Sequence, residues 1–564
     1  MKHKKFCLVF LIGLMILYLS GCSDSAVSNQ SQTGGNPTYP ITSDVFTTRQ
    51  RTIVLGSGPF GPDTIFPYEI SKFKQNGYGT WSYGAGIDAG KQLDIMPAGY
   101  NSASVTNTAK LLHFFTMTDM HLVDKESPAQ SIFAGYKGSN SASYSPVMLY
   151  TTHVLDAAVQ TVNAIHKQIP FDYGLFLGDA TNNTQYNELR WYIDVLDGKL
   201  ITPGSGNHAG ADTIDYQKPY KAAGLDKTIP WCQVPGNHDQ FWQGAFPMSD
   251  SLRQACIGEN ILAFGLIPDN PIEYVGAIDG RTPYGDIMGV GPVGNFSTPP
   301  KVFAADPNRR SLSRQEWMSE FFNTSSNPAG HGFNQTNINN NFSCYSFEPK
   351  SNIPLRIIML DDLENANSST LPTAQGFLDQ ARYDWLISEL DKGQSEGKLM
   401  IIAAHAPIGV APSSSPVGWS TSSYISDTEL INILHKYPNF ILWLAGHRHY
   451  NAVTSFKSQD NTHPEQGFWE IETSSLRDFP QQFRTFDIIR NSDNTISIIT
   501  TDVDPAVREG SPASISRFYG AAAQQLFLNP VPYMPVGSFN GEFVKQLSPE
   551  MQAKIQNYGT PIGR

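Results

Sequence analysis

Five short clusters of metal-binding side chains punctuate the middle of the chain, and each comes with a run of apolar residues before it. Asp119-Met120-His121 comes just after the run 111–117, and Gly178-Asp179 directly after 173–177. Gly236-Asn237-His238-Asp239 follows 231–234, His405 stands in Ala403-Ala404-His405-Ala406-Pro407, and Gly446-His447-Arg448-His449 follows 440–444. Taken alone, a DxH tripeptide or a single His at a strand end is an ordinary polar turn. Together the clusters offer two carboxylates, one amide and four imidazoles as ligands, with His238 beside them. Imidazole and carboxylate donors suit Zn, Mn or Fe rather than Ca. A metal pair roughly 3.5–4 Å apart makes hydroxide available near neutral pH and stabilises both attacking and leaving oxygens.

Such groups need a scaffold that brings distant loops to one place. The runs 111–117, 173–177, 231–234, 356–360, 399–403, 440–444 and 468–471 are short and mostly apolar, without a strict alternation, the pattern of strands covered on both faces. Between the first two, apolar residues at 155, 158, 159, 162 and 165 give helical spacing over 154–165. A second helix is expected over 377–390, burying Leu378, Ala381, Trp385, Leu386 and Leu390. Strands alternating with helices indicate an α/β fold. In such folds chemistry sits on loops at the carboxyl ends of strands, which is where the five clusters fall.

The order DxH, GD, GNH, H, GHxH resembles the signature of the calcineurin-like metallophosphoesterases, with all five blocks complete over roughly 111–487. Gln380, Trp385 and Leu386 are similar to the helix that commonly precedes the fourth block, and the stretch 472–484 resembles a bacterial subgroup. The resemblance implies two packed mixed β-sheets flanked by helices, a four-layer sandwich, here with a large loop-rich insertion at about 245–345. It implies that Asp119, His121 and His449 hold one metal, that Asn237, His405 and His447 hold the other, and that Asp179 bridges them. His238 would be the general acid and a metal-bridging hydroxide the nucleophile. The charges suit this allocation. Two divalent ions bring four positive charges; the two Asp remove two and the hydroxide one, leaving about +1 for an anionic ester. A neutral Asn237 preserves that attraction. Histidine is also the residue best poised to protonate a leaving alkoxide near pH 7.

Several neighbours carry secondary expectations. Asn182 and Asp239 would orient ligands from behind, and Arg448 either touches phosphate or pairs with a carboxylate. Asp361 and Asp362 read as turn residues, and His113 as a core histidine. Phe241 and Trp242 read as core packing rather than pocket wall. Purple acid phosphatases resemble this family but place a metal-binding Tyr three residues after the bridging Asp; here that position is Asn182, which argues against such a centre. No separate domain resembles the one by which secreted 5′-nucleotidases bind a base.

Length and composition frame the rest. The 564 residues include 40% hydrophobic ones, enough for a large core, and a net charge of −12 argues against stable nucleic-acid binding. Lys2, Lys4 and Lys5 followed by the apolar run 6–19 read as a signal peptide, 1–21, ending at Leu19-Ser20-Gly21-Cys22. That ending resembles the bacterial lipoprotein signal, with Cys22 lipidated. Residues 22–44 read as a flexible tether and 45–110 as an extension packed on the core. Residues 111–502 form the metallophosphoesterase domain, and 503–564 a tail packed on it. Cys232, Cys256 and Cys344 leave at most one disulfide, whose pair the sequence does not choose. The expected protein is a lipid-anchored envelope hydrolase, facing the periplasm or exterior. It would need two Mn, Fe or Zn ions to cleave a small phosphomonoester or phosphodiester, touching the membrane only through its N-terminal lipid. The alternatives are a nuclease or cyclic-nucleotide phosphodiesterase with the same centre, or an inactive surface-binding lipoprotein.

Overall fold

The computed structural model describes residues 45–61, 64–138, 143–265, 272–364, 375–408, 419–527 and 540–562. The signal, Cys22 and the tether lie outside them. The strands of the two main sheets are, in chain order, β1 (Gly90–Gln92), β2 (Asn107–Met117), β3 (Tyr173–Phe176), β4 (Trp231–Gln233), β5 (Tyr345–Phe347), β6 (Leu355–Met359) and β7 (Leu399–Ala403). Then follow β8 (Phe440–Ala445), β9 (Ala452–Phe456), β10 (Phe468–Glu472), β11 (Phe483–Asn491), β12 (Ile496–Val503), β13 (Gly541–Lys545) and β14 (Thr560–Pro561). All seven apolar runs are strands. An eight-stranded mixed sheet runs β1-β13-β12-β11-β2-β3-β4, with β14 also paired to β2. A six-stranded mixed sheet runs β5-β6-β7-β8-β10-β9. The pairs β2·β3·β4 and β6·β7·β8·β10 are parallel. Their carboxyl ends therefore point the same way within each sheet.

Strand alternation explains the layers. Ile357, Met359, Ile401, Ala403, Leu442 and Leu444 face a core shared with Leu112, Phe114, Leu175 and Ile488 of the other sheet. Their neighbours Ile358, Met400, Ile402, Trp443 and Ala445 face the opposite way. There they meet Leu386 and Leu390 of α3 (Gln380–Ser395) and Leu430 and Leu434 of α4 (Asp427–Leu434). A period of two buries both faces because each has its own cover. On the eight-stranded sheet that cover comes from α1 (Thr151–Gln168), through Leu155, Val159 and Val162, and α2 (Tyr186–Asp197), through Leu189, Ile193 and Leu196.

The second expected helix needs correction at its start. It begins at Gln380 because the Asp379 side chain caps the Arg382 amide. Ala381 is exposed, and Arg382 is buried in its stead, its Nη1 donating to the carbonyl (3.0 Å) and Oδ1 (3.1 Å) of Asp361.

The described residues of 245–345 are mostly loop, with some regular structure set among them. They include helices Asp250–Ile257, Arg314–Glu320 and Gln335–Asn340 and a three-stranded sheet with its own cluster around Tyr274 and Val275. Trp317, Phe321 and Phe333 join the main core. The tail inserts β13 into the eight-stranded sheet, and its helix α5 (Pro512–Phe527) sends Tyr519 and Ala522 to meet Ile70 and Phe73 of the N-terminal extension. Cys232, Cys256 and Cys344 are buried and free, so no disulfide joins them.

Candidate metal centre

The five clusters meet at the carboxyl ends of the parallel strands, on very sharp turns. Asp119, His121, Asp179, His447 and His449 all have positive φ, between 45° and 73°. Non-glycine residues are uncommon there, and each costs on the order of 1–2 kcal/mol, so surrounding contacts must impose these turns. The amides of Asp119 and His121 donate to the carbonyls of Gly178 (3.1 Å) and Asp179 (2.9 Å), zipping the first two loops together. Gly236 lets the third loop touch the second: a Cβ there would stand 2.1 Å from both the amide nitrogen and Oδ1 of Asp179.

Each carboxylate keeps one oxygen tied and one open. Asp119 Oδ2 accepts from Thr118 Oγ1 (2.7 Å) and the His447 amide (2.9 Å). Its buried Oδ1 has no hydrogen bond among the described residues and faces His449 Nε2 at 3.2 Å and His121 Nε2 at 3.8 Å. Asp179 Oδ1 accepts from the His238 amide (2.8 Å), while Oδ2 stands 3.4 Å from both His121 Nε2 and His405 Nε2.

The neutral candidate side chains are aimed in the same manner. Asn237 Nδ2 donates to the Gly244 carbonyl (2.9 Å), which turns Oδ1 to within 2.9 Å of His405 Nε2 and 3.1 Å of His447 Nδ1. His405 donates Nδ1–H to the Leu177 carbonyl (2.7 Å), and His449 donates Nδ1–H to Asp478 Oδ2 (2.6 Å). His121 Nδ1 meets Asn182 Oδ1 at 3.2 Å, and His238 Nδ1–H donates to the Asn182 carbonyl (2.8 Å).

Two pairs of ring nitrogens stand nearly in contact: His121 Nε2 with His449 Nε2 at 3.1 Å, and His405 Nε2 with His447 Nδ1 at 3.2 Å. Two lone pairs so placed repel unless a proton or a cation lies between them. Donors about 2.1 Å from a shared ion at right to tetrahedral angles would be about 3.0–3.4 Å apart, so the donor set fits metal ions. Asp119, His121 and His449 bring ligand atoms within 4.8 Å of one another, as do Asp119, Asp179 and His405, and His121, Asp179 and His238.

The electrostatics point the same way. Burial opposes charge throughout, yet neighbouring protonated histidines hold Asp119 and Asp179 well below the usual carboxylate range. Burial likewise opposes the His405 and His449 cations, but Asp179 raises the first and Asp119 the second to about 10. Burial holds His238 down to about 3 and His447 to about 4. The metal-free pocket thus keeps protons where cations are wanted.

The profile of the calcineurin-like phosphoesterases matches residues 112–451. The chain belongs to this family. It is a metal-dependent phosphoester hydrolase, of a family whose members use a dinuclear metal centre and act on phosphoesters. No curated protein sequence matches the chain. Among solved structures, the phosphoesterase is similar to a dimetal phosphatase from Danio rerio, at 11% identity and a TM-score of 0.39, covering 71% of this chain and 98% of that one. A protein described as a 5′-nucleotidase from Staphylococcus aureus matches at 10% identity and a TM-score of 0.29, covering 73% and 57%.

Other residues of the phosphoesterase fall into place around the centre. Asn182 stands behind His121 and His238. Asp239 accepts from the amides of Gly236, Ala180 and Thr181 and from Thr181 Oγ1, tying the third loop to the second; burial and the charge of Asp179 push it up to about 7. Arg448 is committed to Glu472, its Nε donating to Oε2 at 2.6 Å, so it pairs with a carboxylate rather than reaching for phosphate. His113 bonds Asp487 (2.8 Å) and stacks on Phe171, while Phe241 and Trp242 are core residues. Asp361 pairs with Arg382 and Arg314.

Sequence reading missed four supports. Asp362 accepts from the amides of His405 and Ala406, bracing the fourth loop. Glu188 accepts from the amides of Asn182 and Asn183. Arg477 and Asp478 lie in the stretch 472–484, which contains none of the five clusters.

Proposed function

We propose that the phosphoesterase hydrolyses a small phosphomonoester or phosphodiester at a two-metal centre. Asp119, His121 and His449 would hold one ion, Asn237, His405 and His447 the other, and Asp179 would bridge them. The observation that carries this reading is the single oxygen Oδ2 of Asp179, equidistant at 3.4 Å from His121 Nε2 and His405 Nε2. When bound, a divalent pair supplies Lewis acidity toward a phosphoryl oxygen and water activated near neutral pH. His238 would deliver the proton to the departing oxygen. Its Nδ1–H is spent on Asn182, so Nε2 is the atom left for that transfer. An anionic ester set against the ring favours its protonated form.

We also propose that Cys22 carries a lipid and that the enzyme works in the bacterial cell envelope. The basic start, the apolar run and Leu19-Ser20-Gly21-Cys22 support this reading.

The test compares metal content and hydrolysis of p-nitrophenyl phosphate and bis-p-nitrophenyl phosphate for the purified chain and Asp179→Asn. About two Mn, Fe or Zn per chain and activity that collapses in the variant are expected, and the preferred ester identifies the class. A chain that stays metal-free and inactive after reconstitution with Mn, Zn and Fe would overturn the proposal.

A further inference from the structure

The loop 473–482, between β10 and β11, belongs to none of the five family blocks yet touches two of their residues, Asp119 and His449, together with Asn182. Ser475 Oγ donates to the Asp119 carbonyl (2.9 Å), and the Arg477 amide reaches the same carbonyl at 3.3 Å. Arg477 Nη1 donates to Asn182 Oδ1 (3.2 Å), the atom that also meets His121 Nδ1. Asp478 Oδ2 accepts Nδ1–H of His449 (2.6 Å). The loop is itself fastened. Ser475 Oγ accepts from the amides of Arg477 (2.8 Å) and Asp478 (3.2 Å), and the Ser474 amide donates to Asn451, two residues beyond His449. At its far end Gln481 donates to Ser516 of α5 (3.0 Å).

The outer ring nitrogens of the proposed ligand histidines are not treated alike. His405 is backed by a carbonyl and His121 by an amide oxygen, while His447 Nε2 has no hydrogen bond among the described residues. Only His449, of these four, is backed by a carboxylate. A carboxylate behind an imidazole fixes its tautomer and strengthens the lone pair on the other nitrogen. That nitrogen, Nε2, faces Asp119 Oδ1 and His121 Nε2. The adjacent Arg477 places a positive charge beside the half-buried carboxylate, so the loop adds no net charge to the centre.

We propose that the loop 473–482 is a clamp on one half of the site and that Asp478 is a positioning residue, orienting His449 so that one of the two metal ions binds tightly. The inference rests on the two-metal reading above.

It is tested by titrating Mn²⁺ into the metal-free chain by calorimetry, for wild type, Asp478→Asn, Asp478→Ala and Asp478→Glu, alongside thermal unfolding of each without metal. Expected is a loss of about 10–100-fold in one binding step of the Asn and Ala variants. The other step and the metal-free unfolding midpoint stay as in wild type, and Glu recovers part of the loss. Wild type binding two ions while Asn and Ala titrate identically to it would overturn the clamp and leave the two-metal reading standing. Equal losses in both steps together with a lowered metal-free midpoint would also overturn it, because Asp478 would then only hold the fold. A wild-type chain that takes up no Mn²⁺ would overturn both readings together.

Discussion

Thr118 and the His447 amide hold Oδ2 of Asp119, and the His238 amide holds Oδ1 of Asp179, so each carboxylate presents its remaining oxygen to imidazole nitrogens. Proton linkage follows from that arrangement. His405 and His449 are raised from an ordinary value of 6.5 to about 10 in the metal-free chain, so both carry protons at pH 7. A metal held as proposed would take their lone pairs, so binding at pH 7 should release about two protons and tighten as pH rises toward 10. Stability of the metal-free chain should run the opposite way: it is fully present below pH 6.5 and lost as pH rises through about 10. Calorimetry in buffers of different ionisation enthalpy measures the release; an enthalpy independent of buffer would contradict it. His238→Gln should slow hydrolysis of an alkyl phosphate by about 10²–10⁴-fold. The loss should be much smaller with p-nitrophenyl phosphate, whose leaving group needs little protonation. Equal losses on both esters would rule out His238 as the acid.

At the scale of the element, the centre is a product of strand ends. Parallel strands deliver the clusters to one edge, and five residues in left-handed backbone turn the chain sharply within two to four positions of leaving the sheet. Glycine makes the close approaches feasible. At Gly446 a Cβ would stand 2.0 Å from Thr118 Oγ1 and 2.7 Å from Asp119 Oδ2. Gly446→Ala should therefore push the fifth loop off the first, costing about 1–3 kcal/mol of stability and much of the bound metal. Gly294, with nothing within 4 Å of its Cβ position, is the matched control and should be silent as Ala. Metal content and thermal unfolding read both; a Gly446→Ala chain with full metal content would contradict the packing argument.

For the whole molecule, the residues after 540 are part of the sheet. β13 pairs with β12 and β1, and Phe543, Val544, Leu547, Met551 and Ile555 are all at most 2% exposed. Removing them forfeits about 10 kcal/mol of burial, comparable to the net stability of a domain, and leaves β12 as a bare edge. A chain ending at Asn540 should be insoluble or unfold far below the full chain. Soluble yield and circular dichroism check this, and a truncated chain that melts with the full one would show the tail to be dispensable.

What the sequence alone determined is local. The run 399–403 is a strand because residues covered on both faces must all be apolar, and the face at 155, 158, 159 and 162 is buried because a helix repeats every 3.6 residues. Asp119, His121, Asp179, Asn237, His238, His405, His447 and His449 stand out in the sequence because five such clusters, each ordinary alone, follow five strands in a distinctive order. Ala381 misled, since apolarity and spacing cannot register that Arg382 has carboxylate and carbonyl partners 21 residues before it. The helix at Arg314–Glu320 passed unseen although its Ser313–Glu316 capping box is a local signal. Tertiary structure alone decided the supports. Asp478 stands behind His449, Asp362 behind the fourth loop and β13 beside β12 because sheet order brings distant segments together. A hydrogen bond between two loops has no periodicity along the chain; it exists only once the strands beneath them have paired.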